Sequence, residues 1–110
     1  MPTPRRMAPL AAATLVLLAG CAASAQTNDP SFRLTNNGGG KINEIYVSSS
    51  GVNSWGPDRL GDRALNSGGS YTIRLPSGQC VNDIRVVYGN GEATERRRVN
   101  TCSLTDLVFP

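Results

Sequence analysis

Few residues in this chain are equipped for chemistry. Its 110 residues include no histidine, which excludes a Ser-His-Asp triad, a Cys-His pair and a histidine-held zinc or iron. Ser-Lys catalysis would have to use Lys41, the sole lysine, and the carboxylates fall at no spacing that pairs an acid with a base. Two groups remain. Arg96-Arg97-Arg98 could hold an anionic partner such as a lipid headgroup, a glycan phosphate or nucleic acid. The same run also fits an edge strand, where charge discourages unwanted sheet pairing. No aromatic residue between Glu92 and Val99 offers a base a stacking platform, which argues against nucleic acid.

The second group is Asn53, Trp55, Asp58 and Asp62, all within the longest irregular stretch, Ser48 to Leu65. Long loops on a rigid sheet often carry function. Asn53, Asp58 and Asp62 could offer oxygen ligands to calcium, although their spacing matches no EF-hand loop. The loop around Trp55 and Asp58 would then make the chain a calcium- or glycan-binding module. The plainer reading makes Trp55 and Leu60 a plug at one end of the fold and Asp58 the cap of a turn. No catalytic residue, metal site or cofactor is expected.

Those groups need elements to position them, and the first segment supplies none. Arg5 and Arg6 precede an apolar run from Ala8 to Ala19, followed by small residues, which is the layout of a secretory signal peptide. Twelve residues are too few to anchor a helix across about 30 Å of hydrocarbon. Leu18-Ala19-Gly20-Cys21 resembles a bacterial lipobox, with Cys21 as the lipidated first mature residue; Ala23-Ser24-Ala25 resembles an ordinary cleavage site before Gln26. Residues 1–20 are thus predicted as a signal peptide and 21–30, small and polar, as a flexible tether. The formal charge of +3 belongs largely to this address. Without Arg5 and Arg6 nine basic residues face eight acidic ones, a balance of +1.

From Ser31 to Pro110 apolar residues alternate with polar ones and turn clusters separate the runs. Phe32 and Leu34, Ile45 and Val47, Tyr71, Ile73 and Leu75, and Ile84, Val86 and Tyr88 each share a face. Residues 93–99 and 104–109 complete six candidate strands. Ile42 is out of phase with Ile45, which predicts a bulge. Pro57 to Leu65 is the best helical candidate, at one or two turns. With no helix long enough to cover the apolar faces, a second sheet must. The expected fold is all-β: a small antiparallel β-sandwich, immunoglobulin-like in general shape, of six or seven strands, with a partly open barrel as the alternative. Cys80 and Cys102 stand equally far from the turn Gly89-Asn90-Gly91, so a disulfide between them would close the base of a hairpin.

Several segments, in this order, are similar to a group of small exported bacterial proteins of unassigned function: Phe32-Arg33-Leu34-Thr35-Asn36, Ile42-Asn43-Glu44-Ile45-Tyr46-Val47-Ser48, Trp55-Gly56-Pro57-Asp58-Arg59-Leu60-Gly61, and Cys80-Val81-Asn82-Asp83-Ile84-Arg85-Val86 with Tyr88 and Cys102. The resemblance covers nearly the whole domain and implies export and this fold without implying a mechanism. Some of those proteins carry the name argininosuccinate lyase. The true lyase resembles a long helical chain several times this size, and its activity does not transfer. The sequence therefore leads to a monomeric, exported, non-enzymatic protein of the bacterial envelope. It would be periplasmic or lipid-anchored to the outer membrane, with an envelope partner that sequence does not identify.

Overall fold

Alternation of buried and exposed residues turns the run from Phe32 to Phe109 into six strands, because a strand sends successive side chains to opposite faces. They are β1 (Phe32–Asn36), β2 (Ile42–Ser49), β3 (Ser70–Ile73), β4 (Val81–Tyr88), β5 (Ala93–Asn100) and β6 (Asp106–Phe109). The structure, a computed structural model, describes residues 26–110. The predicted signal peptide and Cys21 lie outside the described residues.

The strands form two three-stranded sheets, ordered β3-β1-β6 and β2-β4-β5. Between them lie Phe32, Leu34, Ile42, Ile45, Val47, Ile73, Ile84, Val86 and Phe109, all buried. This is the small β-sandwich the alternation predicts. Burying each such side chain contributes about 1.5–3 kcal/mol. The expected bulge is present where β2 shifts register between Ile42 and Glu44 against β4. One pairing departs from the antiparallel expectation: β1 and β6 run parallel. After β5 a single 3-10 turn, Thr101–Ser103, carries the chain from one sheet to the other. β6 therefore approaches β1 by a crossover rather than by a hairpin.

The Cys80–Cys102 disulfide forms as the turn-centred spacing predicts. It closes the base of the β4–β5 hairpin, whose tip is tied by Tyr88 and Glu92 and turned at Gly91, φ 90°. Cross-links of this kind persist in oxidising compartments. Beside it Asn82 is fully buried and satisfied: its amide nitrogen donates to Gln79 O and Thr101 Oγ1, and its Oδ1 accepts from Gln79 Nε2. At the opposite end Asn36 does the same work. Its Nδ2 donates to Gly40 O and Leu65 O, and its Oδ1 accepts from Gly38 N. Gly38 itself cannot carry a side chain, because a Cβ there would stand 2.4 Å from the Pro110 carbonyl carbon.

Open sides are the weak point of a sandwich built from short sheets, and an arginine bridges the sheets at each. On one side Arg59 donates to Val47 O of β2 and to Arg74 O beyond β3. On the other Arg96, on β5, stacks 4.6 Å over the Phe109 ring and donates to Val108 O of β6.

Two expectations are corrected. Pro57 to Leu65 forms no helix; it runs along β2, where Arg59 N donates to Ile45 O and Leu65 exchanges two backbone bonds with Ile42. A free strand edge demands partners for its backbone groups, and this need outweighs a short helix. The described part of the predicted tether, 26–30, is docked rather than loose. Thr27 N donates to Cys102 O, Gly78 N to Asn28 O, and Pro30 is buried.

Replacing Cys80 and Cys102 together by Ser should lower stability by about 3 kcal/mol, measured by urea unfolding with and without reductant on the wild type as control. Arg96→Ser should cost about 1 kcal/mol through the lost stacking and hydrogen bond, whereas Arg98→Ser, whose side chain is exposed, should leave the midpoint nearly unchanged.

Candidate functional site

The sequence groups Arg96, Arg97 and Arg98 as one run, yet a bulge in β5 separates them. Asn82 pairs with Val99 and Ile84 with Arg96, so the single residue Asp83 faces both Arg97 and Arg98. Arg98 takes φ 56°, the one positive φ among described non-glycine residues. The extra residue restores alternation: Arg96 and Val99 both turn toward the core, while Arg97 points out.

Asp83 holds this arrangement. It is only 4% exposed, and a buried carboxylate costs several kcal/mol unless paired and hydrogen-bonded. Its Oδ1 accepts from Arg98 N at 2.9 Å and Ser50 Oγ at 2.8 Å, and its Oδ2 accepts from Arg97 at 3.1 Å. These bonds, the backbone one first, hold its carboxyl below the ordinary value of 3.8 against the opposing effect of burial.

Arg97 in turn donates twice to Glu95 Oε1, at 2.7 and 3.1 Å. Glu95 also pairs with Arg85 at 2.5 Å. So fixed, the Arg97 guanidinium lies 4.9 Å over the Trp55 ring. Aromatic faces attract cations by their quadrupole, and a guanidinium stacks on them readily. Together with Ser48, Val52, Asn53 and Ser54 this pair lines a shallow cleft of about 210 Å³ on the outer face of the β2-β4-β5 sheet.

The structure thus unites parts of both sequence groups: Arg97 from the arginine run and Asn53 and Trp55 from the loop. It separates the others. Trp55 does not plug the sandwich; Leu60 enters the core, while Trp55 stays half-buried outside it. The sheet's outer face offers it a cation that the core does not. Asp58 caps a turn as expected, its Oδ1 accepting from Ile45 N and Leu60 N at 2.9 Å each. That oxygen is spent on backbone. Asp62 is exposed and outside the cleft. Among the described residues no group of three or more His, Cys, Asp or Glu stands close enough to hold a metal ion. Arg96 serves the core edge, and the Arg98 side chain is exposed.

Sequence reasoning missed Asp83 and Glu95, which set Arg97 in place. Asp83 alternates with buried Ile84 and so reads as a surface residue; only the bulge reveals its task. Two hollows of more than twice the cleft's volume lie elsewhere. One, of about 540 Å³, runs between Gly38–Lys41 and the β4–β5 turn, and the other, of about 590 Å³, lies under Thr27 and Asp29 beside residues 102–106. Neither gathers any of the sequence-predicted residues other than Cys102, which the disulfide occupies. Comparison of the chain with family models, with curated proteins and with solved structures finds no match.

The carboxyls of Asp83, Glu95 and Asp106 are all held low in the folded state by their arginine and hydrogen-bond partners. Their contribution is therefore present above the unfolded values near pH 4 and is lost as pH falls through the folded ones. Melting temperature should fall progressively below about pH 4. Asp83→Asn should flatten that acid limb and lower stability by about 1–3 kcal/mol at neutral pH. An unchanged limb in Asp83→Asn would assign the acid loss elsewhere.

Proposed function

We propose that this is an exported, lipid-anchored β-sandwich of a bacterial envelope with a non-enzymatic binding role, and that the Trp55–Arg97 face makes the contact. The observation that carries the reading is the clamp itself. A half-buried loop aromatic outside the core is fixed by an arginine, and that arginine is fixed by Glu95 and by the buried Asp83. Ordering two long side chains on a surface costs entropy, and neither is needed by the core. Binding surfaces favour Trp and Arg held rigid in this way, since little further ordering is needed on contact.

Export and anchoring are supported by the signal layout, by the lipobox-like run ending at Cys21, and by a disulfide of the kind that oxidising compartments maintain. A non-enzymatic role is supported by the lack of histidine and by the employment of Asp83, Glu95 and Asp58 in structural bonds. A glycan is the second reading of the same face. It is favoured by the hydroxyls of Ser48 and Ser54 and the amide of Asn53 around the indole, a mixture of stacking and neutral hydrogen-bonding groups that suits a sugar ring.

Fractionation of cells expressing the full chain tests the anchor. The wild type should sediment with membranes, and Cys21→Ser should move it to the soluble periplasmic fraction. A distribution untouched by Cys21→Ser, or a cytoplasmic protein with free Cys80 and Cys102 thiols, would refute the reading.

A further inference from the structure

We infer that the Trp55–Arg97 face docks on the lipid–water interface of the membrane that holds the anchor. This rests on the lipid-anchor reading above and names the partner of the same face.

Thr27 N is bonded to Cys102 O, and the Gln26 side chain accepts from Asn100 Nδ2 at 3.0 Å. The N-terminal arm therefore leaves the domain at the end of β5. Between Cys21 and Gln26 lie five residue steps, which span at most about 18 Å. An acyl group on Cys21 would hold this end of the sandwich against the bilayer and leave the hairpin tip outward.

The surface at that end suits such a neighbour. Asn100 is the register partner of Val81, which is 45% exposed on the outer face of its sheet. Val81 O accepts from Ser50 N, and two residues on stands Val52, 54% exposed. Val52 lines the cleft with Trp55 and Arg97. Val81 thus stands beside the exit of the arm, and Val52 joins that end to the Trp55–Arg97 cleft. Val108 is the other exposed large apolar side chain among the described residues.

Tryptophan partitions to bilayer interfaces, where its ring meets both hydrocarbon and headgroup. The exposed Arg98 adds a cation for anionic lipid. A lipid anchor at Cys21 ties the domain to the membrane through one flexible point, so a second, weak contact of this kind sets the orientation in which the domain sits. A soluble glycan would need the cleft open to water, whereas the two valines give it no partner.

The single Trp makes the test direct. Purified full-length-derived lipoprotein is reconstituted in vesicles of phosphatidylethanolamine and phosphatidylglycerol. Trp55 emission should shift to the blue and lose most of its intensity when the lipids carry bromine near the headgroup end of the chains. Val52→Asp and Val81→Asp should restore the emission, and Val108→Asp should not; their melting curves check that all three fold. Mass measurement of the N-terminal peptide reads the anchor independently. An acylated Cys21 with unquenched Trp55, or quenching indifferent to Val52→Asp and Val81→Asp, overturns the docking and leaves the anchor standing. A peptide without acyl mass overturns both. Trp55 emission that responds to maltotriose and not to vesicles assigns the face to glycans and overturns the docking.

Discussion

The candidate face depends on one buried carboxylate. Asp83 gathers donors from the end of β2, from the β5 backbone and from the Arg97 side chain. A lone charge in that position would be expensive; three donors in place make it stable and directional. The carboxylate also supports a strained residue. Arg98 occupies a left-handed conformation that costs a non-glycine residue on the order of 1–2 kcal/mol, and its N–H is the one Asp83 accepts from. Bulge and carboxylate are therefore one device. Its effect is to turn Arg97 outward to Trp55 while leaving Arg96 and Val99 facing the core.

With that phase set, the three arginines have three different surroundings despite identical chemistry. Arg96 closes the side of the sandwich over Phe109 and Val108 O. Arg97 spends every donor nitrogen on Glu95 and Asp83 and presents its flat face to an indole. A guanidinium so neutralised is a poor anion receptor and a good brace. Arg98 gives its backbone to the bulge and its side chain to solvent. A charge run in a sequence says little until the strand register distributes it.

The alternation of Leu34, Ile45, Val47, Ile84 and Val86 made the strands legible, because a half-buried strand has no other simple pattern. The disulfide was legible because hairpin geometry pairs residues equally distant from a turn. The bulge at Ile42 showed as a break in phase. The bulge at Arg98 did not, since every residue from Glu95 to Arg98 is charged and such a run carries no phase to break. Trp55 was misplaced for a related reason: composition says an indole prefers burial, and only tertiary structure says that a braced guanidinium provides it. The parallel pairing of β1 with β6 was illegible because it joins residues some seventy apart. Residues 26–30 look like linker by composition, yet the carbonyls of Cys102 and Asn28 fix them in place.

These contacts concentrate at one end of the molecule. The disulfide, the Asn82–Thr101–Gln79 network, the docked arm and Asp83 all lie where β4 begins and β5 ends. The opposite end is held by Asn36 and by main-chain bonds among glycines. Local opening is easiest where backbone is exposed and cross-links are few, so the glycine-rich end is the soft one. A protein restrained through its N-terminal arm takes load first at Thr27 and Cys102, and Cys102 is covalently joined to the start of β4. Placing the staple beside the arm holds the Trp55–Arg97 face in a fixed relation to the arm, which is the rigidity that the proposed docking would require.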